Sequence, residues 1–373
     1  MATYVFISSP QKLNELIATL NEHPVIAVDT ESDSLYSYFE KVCLVQISTP
    51  QTDYIVDPLA VDISPLATIF AAEHVQKIFH AAEYDILSLK RDYGFEFSNL
   101  FDTMVSAKIL GWQKVGLGSL LEIYLHVKLN KKFQQYNWGK RPLSSQALNY
   151  AYMDTHYLHA LRQIQLDELA AQKRLSEAQA AFKRLTRLTP SAKVFSPADF
   201  WRVRGVKNLS AEEQAVLQAI YIFRDDVARY YNIPPFKMMS DAAMCQLAQT
   251  RPKSVSALKK VRGIHRNVLK THSRELVALL QANQPEASHH RRRNSRNGLT
   301  NAALARYEHL RAWRNAFAAN RGVEPDVILP NDALKAIARL NPASIAELQA
   351  AGILGDWQFS TYAETIIEKL KRL

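Results

Sequence analysis

The second half of this chain is written twice. At an offset of 90 residues and without a gap, Phe223-Arg224 aligns with Trp313-Arg314, and Pro235, Ala243, Ala248, Pro252, Ser254 and Leu258 align with Pro325, Ala333, Ala338, Pro342, Ser344 and Leu348. A unit that recurs at a fixed period is one structural module used again. Each copy reads as a helix, a proline-containing loop and further short helices, so residues 209–285 and 299–373 are expected to form two small all-α helical bundles. Between them lies EASHHRRRNSRNG (286–298), a basic linker too poor in apolar side chains to contribute a core.

The first half follows other rules. VIAVDTE (25–31), KVCLVQIST (41–49) and DYIVD (53–57) are β-rich runs joined by short polar links, which predicts three consecutive antiparallel strands. An amphipathic stretch at 64–72, a short strand VQKIFHA (75–81) and a helix from Glu83 to Asp92 stopped by Gly94 follow. Helical patterns resume at 102–110 and 117–126, and the polar stretch KLNKKFQQYNWGKRPLS leads into a helix from Ser144. Helical spacing then persists from 156 to 187 until Pro190 and Pro197 interrupt it. The expected fold is a mixed α/β domain over 1–168, a helical linker over 169–208, and the two helical bundles.

With 373 residues, 47% hydrophobic and 22% charged, the chain can bury more than one core. It has no uninterrupted apolar run of about 18 residues, and MATYVFISSPQKLNE lacks a basic segment followed by an apolar one, so neither a membrane span nor secretion is expected. Cys43 and Cys245 lie far apart with no metal-ligand spacing around them, which argues against a disulfide or zinc site and for a reducing cytoplasm. Charge is unevenly shared: residues 1–170 carry 13 Lys+Arg against 19 Asp+Glu, and the remainder 33 against 17. An acidic front half can hold cations in a carboxylate site. A basic rear half offers contacts that phosphate backbones reward, a solvated basic surface being the plain alternative.

Asp29 and Glu31 lie two apart on the first predicted strand, so both project from one face where the apolar run ends. Carboxylates this close repel one another and are costly to desolvate, which calls for a salt-bridge partner or a divalent cation. Asp85 falls near the start of a helix, where an anion is tolerated; there, or at Glu83, an ordinary helix-start acid is the alternative. Tyr150 and Asp154, four apart in NYAYMDTHYLHAL, would share one helix face, whereas Tyr152 and Tyr157 look like packing residues. Only the combination is specific.

The order Asp29-x-Glu31, Asp85, Tyr150-x-x-x-Asp154 resembles the exonuclease superfamily defined by four acidic residues and a tyrosine. The blocks AVDTESDSLYSYFEKVCLVQIST, FHAAEYDILSLKRDYGFEFSNLFDTMVSAKILG and NWGKRPLSSQALNYAYMDTHYL are similar to those of the ribonuclease D family, including its eukaryotic exosome relative. The repeated unit resembles the helicase-and-ribonuclease-D C-terminal (HRDC) domain. Two positions depart from the pattern: Thr155 stands where an aliphatic residue is expected, and Glu83 where an aspartate is sometimes seen. The second bundle also diverges near GILGDWQ from the first near VRGIHRN, which weakens the case that it binds nucleic acid.

The resemblance implies a ribonuclease H-like catalytic domain, a mixed sheet flanked by helices, that gathers the three blocks at one edge. It implies a 3′–5′ exoribonuclease that releases nucleoside 5′-monophosphates from RNA with a free 3′ end, such as a transfer RNA precursor. Asp29, Glu31 and Asp154 would hold one Mg²⁺ or Mn²⁺ with the attacking water, Asp29 would bridge to a second ion supported by Asp85, and Tyr150 would orient the water. Two such ions about 3.5–4 Å apart can clamp the attacking and leaving oxygens. Glu31 would also lie near the terminal 3′-hydroxyl. Trp138, Lys140 and Arg141 are candidate nucleic-acid contacts, with a solvated loop around one packed aromatic as the alternative. The run Arg291-Arg292-Arg293 is a candidate nonspecific phosphate contact or a solvated linker.

Two rival readings remain. A DNA exonuclease would share the carboxylate set, although no polymerase or helicase motif, including any GxxxxGK[ST] loop, accompanies it. A nucleic-acid-binding scaffold with an inactive nuclease-like domain is opposed by the intact set of five residues. A monomer in a bacterial cytoplasm is the expected state.

Overall fold

The computed structural model, which describes residues 4–130, 132–191, 194–282 and 299–372, builds the first half of the chain on one six-stranded sheet. Strands β1 (Tyr4–Ile7), β2 (Val25–Ser32), β3 (Val42–Ser48), β4 (Asp53–Val56), β5 (Gln76–Phe79) and β6 (Leu100–Asp102) lie in the order β1-β4-β3-β2-β5-β6. The antiparallel run foreseen from the sequence is β2, β3 and β4, while β1, β5 and β6 add parallel neighbours. β1 and β6 escaped the sequence reading because four and three residues carry too little periodicity. β3 is buried along its whole length, as a nearly continuous apolar run requires. Pairing of β2 with β5 stops at Ala27–Ile78, whereas pairing with β3 runs on to Ser32 with an irregularity after Glu31. The end of β2 therefore has one open flank.

Helices α1 (Pro10–Glu22), α2 (Ala67–Ala71), α3 (Glu83–Tyr93), α4 (Thr103–Leu110), α5 (Leu117–Tyr124), α6 (Ser145–Ala151), α7 (Met153–His156), α8 (Leu158–Ala171) and α9 (Leu175–Thr186) complete this half. The side chain of Ser9 caps α1, which buries Leu13, Leu16 and Leu20, and Gly94 ends α3 in the left-handed region at φ 67°. The continuous helical spacing expected from Ser144 to 187 is broken at Tyr152, Tyr157 and around Lys173, without a Gly or Pro to announce it. Residues 169–186, expected as a linker, instead join the core: Leu169, Ala178, Phe182 and Leu185 are buried in it, and the Phe182 ring lies 5.0 Å from that of Phe101.

The repeat folds as α10 (Ala211–Tyr231), α11 (Pro235–Met238), α12 (Asp241–Thr250), α13 (Val255–Leu258), α14 (Arg266–Thr271) and α15 (Ser273–Gln281), then α16 (Asn301–Arg321), α17 (Pro325–Ile328), α18 (Asn331–Leu340), α19 (Ile345–Ala350) and α20 (Asp356–Lys371). The 90-residue offset survives at the level of single bonds. Buried Arg224 donates to the carbonyl of Met239 at 3.3 Å, and buried Arg314 to that of Leu329 at 2.9 Å. The copies differ at their ends, where α20 runs unbroken over the positions of α14 and α15.

The described residues form two compact units, one of 4–32, 42–190 and 299–372, the other of 33–41, 191 and 194–282. Residues 33–41, expected inside the α/β domain, group with the first bundle because Tyr38 donates to both Asp225 oxygens at 3.0 Å and Phe39 N donates to the Asn232 side chain at 2.9 Å. The second bundle belongs to the unit that holds the sheet. Arg321 at the end of α16 donates to both oxygens of Glu177 on α9, at 3.1 and 2.6 Å, and to the Tyr362 hydroxyl at 3.2 Å. A Cβ at Gly111 would collide with the Gly322 carbonyl oxygen, so glycine there permits the close approach. No helix among the described residues is long and apolar enough to cross a membrane.

Glu177 is 5% exposed. Arg321→Ala leaves that carboxylate buried without its partner and is expected to cost about 3–5 kcal/mol in urea unfolding, whereas Arg321→Met with Glu177→Leu recovers most of it. An unchanged midpoint for Arg321→Ala would show that the junction contributes little.

Candidate active site

Three chain segments meet at the open flank of β2. Strand alternation places Asp29 and Glu31 on one face, α7 brings Asp154 to them, and carboxylate oxygens of all three lie within 4.8 Å of one another. Asp85, in the first turn of α3, is 5% exposed; its Oδ1 accepts hydrogen bonds from the backbone N of Thr30, at 3.1 Å, and from the Thr30 hydroxyl. That buried carboxylate serves β2 and is not an ordinary solvated helix-start acid. The Tyr150 hydroxyl is close enough to Asp154 for that carboxylate to act on it. All five residues singled out in the sequence therefore converge, although Tyr150 and Asp154 belong to two short helices and not to one.

No Lys, Arg or His among the described residues forms an ion pair with these four acids; the charged neighbours that raise their pKa values are one another. Burial, then the charge of Asp154, holds Asp29 well above the usual carboxylate range. Burial, then Asp29, Asp154 and Asp85, does the same to Glu31. Burial and Asp29 raise Asp85 against the bonds from Thr30. Burial lifts Asp154 to about 7 against the opposing effect of the Tyr150 hydroxyl. The Tyr150 phenol is driven up by burial and then by Asp154, Glu31 and Asp29, so it keeps its proton at neutral pH.

Gln46 adds an independent sign. It lies directly across from Asp29 in the antiparallel register and so on the same face, it is fully buried, and neither atom of its amide has a hydrogen-bond partner among the described residues. Uncompensated carboxylates beside an orphaned amide form an oxygen-rich donor set that suits a hard divalent cation such as Mg²⁺ or Mn²⁺. Neither Thr30 nor Gln46 was singled out in the sequence. A lone amide in the apolar run KVCLVQIST was the available signal.

The proposed nucleic-acid contacts fare differently. Trp138 is 1% exposed and packs its ring 6.2 Å from that of Tyr150, so it cannot offer a face to a base and instead holds the tyrosine. Phe133, at 5.8 Å, supports the same ring. Arg141 forks onto Asp57 at 2.7 and 2.6 Å and donates to the carbonyls of Cys43, Trp138 and Lys140, leaving nothing for a phosphate. Both losses have one cause: the loop before α6 is pinned to the sheet. Lys140 is exposed. Arg291, Arg292 and Arg293 lie outside the described residues.

A cleft of about 320 Å³ opens beside Tyr150 and Asp154, lined also by Lys128, Asn130, Phe133, Gln146 and Asn149. A larger cavity of about 620 Å³ lies among α4, α9 and the second bundle and touches none of the five residues, so size does not locate the chemistry here.

A family model described as 3'-5' exonuclease matches residues 4–170, and one described as HRDC domain matches 213–280 and again 303–370. The chain is 31% identical to the ribonuclease D of Jannaschia sp. over 347 residues, 89% of this chain and 88% of that protein. It is 33% identical to the exosome complex component 10 homolog of Caenorhabditis elegans and 30% identical to the exosome complex exonuclease RRP6 of Saccharomyces cerevisiae, but spans only 29% and 36% of their lengths. The solved catalytic core of RRP6 from Trypanosoma brucei matches with a TM-score of 0.70 at 29% identity, over 74% of this chain and 78% of that one. Escherichia coli RNase D matches over 100% and 99% with a TM-score of 0.66 at 20% identity, a likeness of fold.

A carboxyl whose pKa is raised by folding binds, in the folded chain, a proton the unfolded chain has released, so metal-free stability falls as pH climbs from the unfolded value near 4 through about 7. The melting temperature in EDTA is expected to drop across that window, and either Mn²⁺ or Asp154→Asn to flatten the drop. A wild-type profile in EDTA as flat as that of Asp154→Asn would count against the raised Asp154 carboxyl described.

Proposed function

Because the chain belongs to the ribonuclease D family of 3′–5′ exonucleases, we propose that it removes nucleotides one at a time from the free 3′ end of RNA, precursor transfer RNA among its substrates. The observation that carries this reading is the convergence of Asp29, Glu31 and Asp154 within 4.8 Å, without a cationic partner among the described residues. Asp29, Glu31 and Asp154 would hold one Mg²⁺ or Mn²⁺, and Asp29 with Asp85 a second. Bound there, the ions neutralise phosphate charge and make water acidic enough to act as a nucleophile near pH 7.

The side chains do the rest. Tyr150, kept protonated, positions the attacking water through its hydroxyl and leaves proton removal to other groups. Water adds to phosphorus, the P–O3′ bond breaks, the released nucleoside keeps its 5′-phosphate, and the shortened RNA regains a 3′-hydroxyl. Thr30 holds Asp85 in place, and Phe133 and Trp138 hold Tyr150. The cleft beside Tyr150 and Asp154 would take the terminal nucleotide, with Lys128, which pairs with Glu122 at 3.5 Å, at its rim, and Glu31 would lie near the 3′-hydroxyl as the family pattern implies. Lys140 and the Arg291–Arg293 run, with the net +16 carried after residue 170, provide sequence-independent attraction for RNA. The protein acts as a monomer in the cytoplasm.

The test is release of 5′-monophosphates from a 3′-extended transfer RNA and from matched single-stranded DNA, with Mg²⁺, Mn²⁺ or EDTA. Expected are metal-dependent release that favours RNA, its abolition by Asp29→Asn, and a kcat lowered on the order of 10²-fold by Tyr150→Phe with RNA binding intact. Equal degradation of DNA overturns the substrate class. RNA binding without degradation overturns the catalytic reading.

A further inference from the structure

Asp154 sits on a single turn. Helix α7 spans only Met153–His156, and Tyr152 and Tyr157 separate it from its neighbours, so its own hydrogen bonds are too few to hold the carboxylate against Asp29 and Glu31. The residues that follow Asp154 supply the restraint. Thr155 is completely buried, with its hydroxyl 2.6 Å from Ser48 Oγ at the end of β3. Ser48 donates to Asp53 Oδ1 at 2.6 Å, and Asp53 Oδ2 lies 2.7 Å from His156 Nδ1. Ser48 and Asp53 face each other across the β3–β4 pairing, so this anchor is part of the sheet itself.

The direction of each bond follows from the acceptors. A carboxylate only accepts, so Nδ1 of His156 carries the hydrogen, and the single Ser48 hydroxyl hydrogen goes to Asp53. Ser48 Oγ is then free to accept, and Thr155 donates to it at 2.6 Å, sharing its hydrogen with the more distant Tyr152 carbonyl at 3.2 Å. An aliphatic side chain at 155, as the sequence pattern would suggest, fills the same space but offers no donor, and it leaves Ser48 with one bond fewer.

Resting on the metal-site reading above, we propose that Thr155, with Ser48, Asp53 and His156, is a positioning device that fixes α7 on the β3–β4 edge and so keeps the Asp154 carboxylate in reach of the cation held by Asp29 and Glu31. None of the four touches the metal or the substrate. They act through Asp154. Losing such a support behind a metal ligand commonly costs 10–100-fold in affinity.

The experiment is calorimetric titration of Mn²⁺ into the EDTA-stripped full-length protein, comparing wild type with Thr155→Val, Thr155→Ser and Ser48→Ala, each checked by circular dichroism. Thr155→Val is expected to weaken Mn²⁺ binding about 10–100-fold and to raise the Mn²⁺ needed for half-maximal kcat in step, with the KM for RNA at saturating Mn²⁺ unchanged. Thr155→Ser, which restores the hydroxyl, recovers most of the affinity, and Ser48→Ala shares the loss. A Thr155→Val protein that binds Mn²⁺ like wild type overturns the proposal, as does a Thr155→Ser protein as weak as the valine variant. Should Thr155→Val fail to fold, the same reading is made on Ser48→Ala. A wild type that takes up no Mn²⁺ overturns the metal site itself and this inference with it.

Discussion

Carboxylates gathered in one place repel one another, and much of this fold resists that repulsion. Asp29 and Glu31 are fixed by their strand, Asp85 by two bonds from Thr30, and Asp154 by a short helix fastened to β3 and β4. The four acids arrive on three separate elements, β2, α3 and α7, so no single local motion can relieve the crowding. Burial first, and for Asp29 and Glu31 the neighbouring acids after it, holds protons on these carboxyls well above the pH at which an ordinary one gives them up. Pre-paid in this way, the site greets a divalent cation with ligands already assembled.

Much of this was legible in the sequence because it rests on short-range rules. The two-residue spacing of Asp29 and Glu31 fixes a shared face in any strand, and the offset of 90 residues reappears as matching arginine-to-carbonyl bonds at Arg224 and Arg314. What stayed hidden depends on contacts between distant segments. Trp138 and Arg141 look like nucleic-acid ligands by residue type, yet one is packed behind Tyr150 and the other consumed by Asp57, 84 positions away in the chain. The break at Tyr152 has no local signal either, since only tertiary packing separates α6 from α7.

Thr155 shows how a departure from a family pattern can carry information. Read along the chain, it is a polar residue where an apolar one belongs. Read in space, its hydroxyl closes a line of donors that ends on Asp53. Gln46 is the complementary case, a buried amide without a partner among the described residues, beside the acids.

The junction of Arg321 with Glu177 separates order along the chain from order in space. The helix that carries Glu177 is complete by residue 186, but the arginine that covers it lies 144 positions after the glutamate. During synthesis at about 5–20 residues per second, the sheet-bearing half would stand for on the order of ten seconds with that acid and the face around it uncovered. A nascent chain of this design is therefore exposed during its own manufacture, and the second bundle acts as a lid for a part of the chain made well before it.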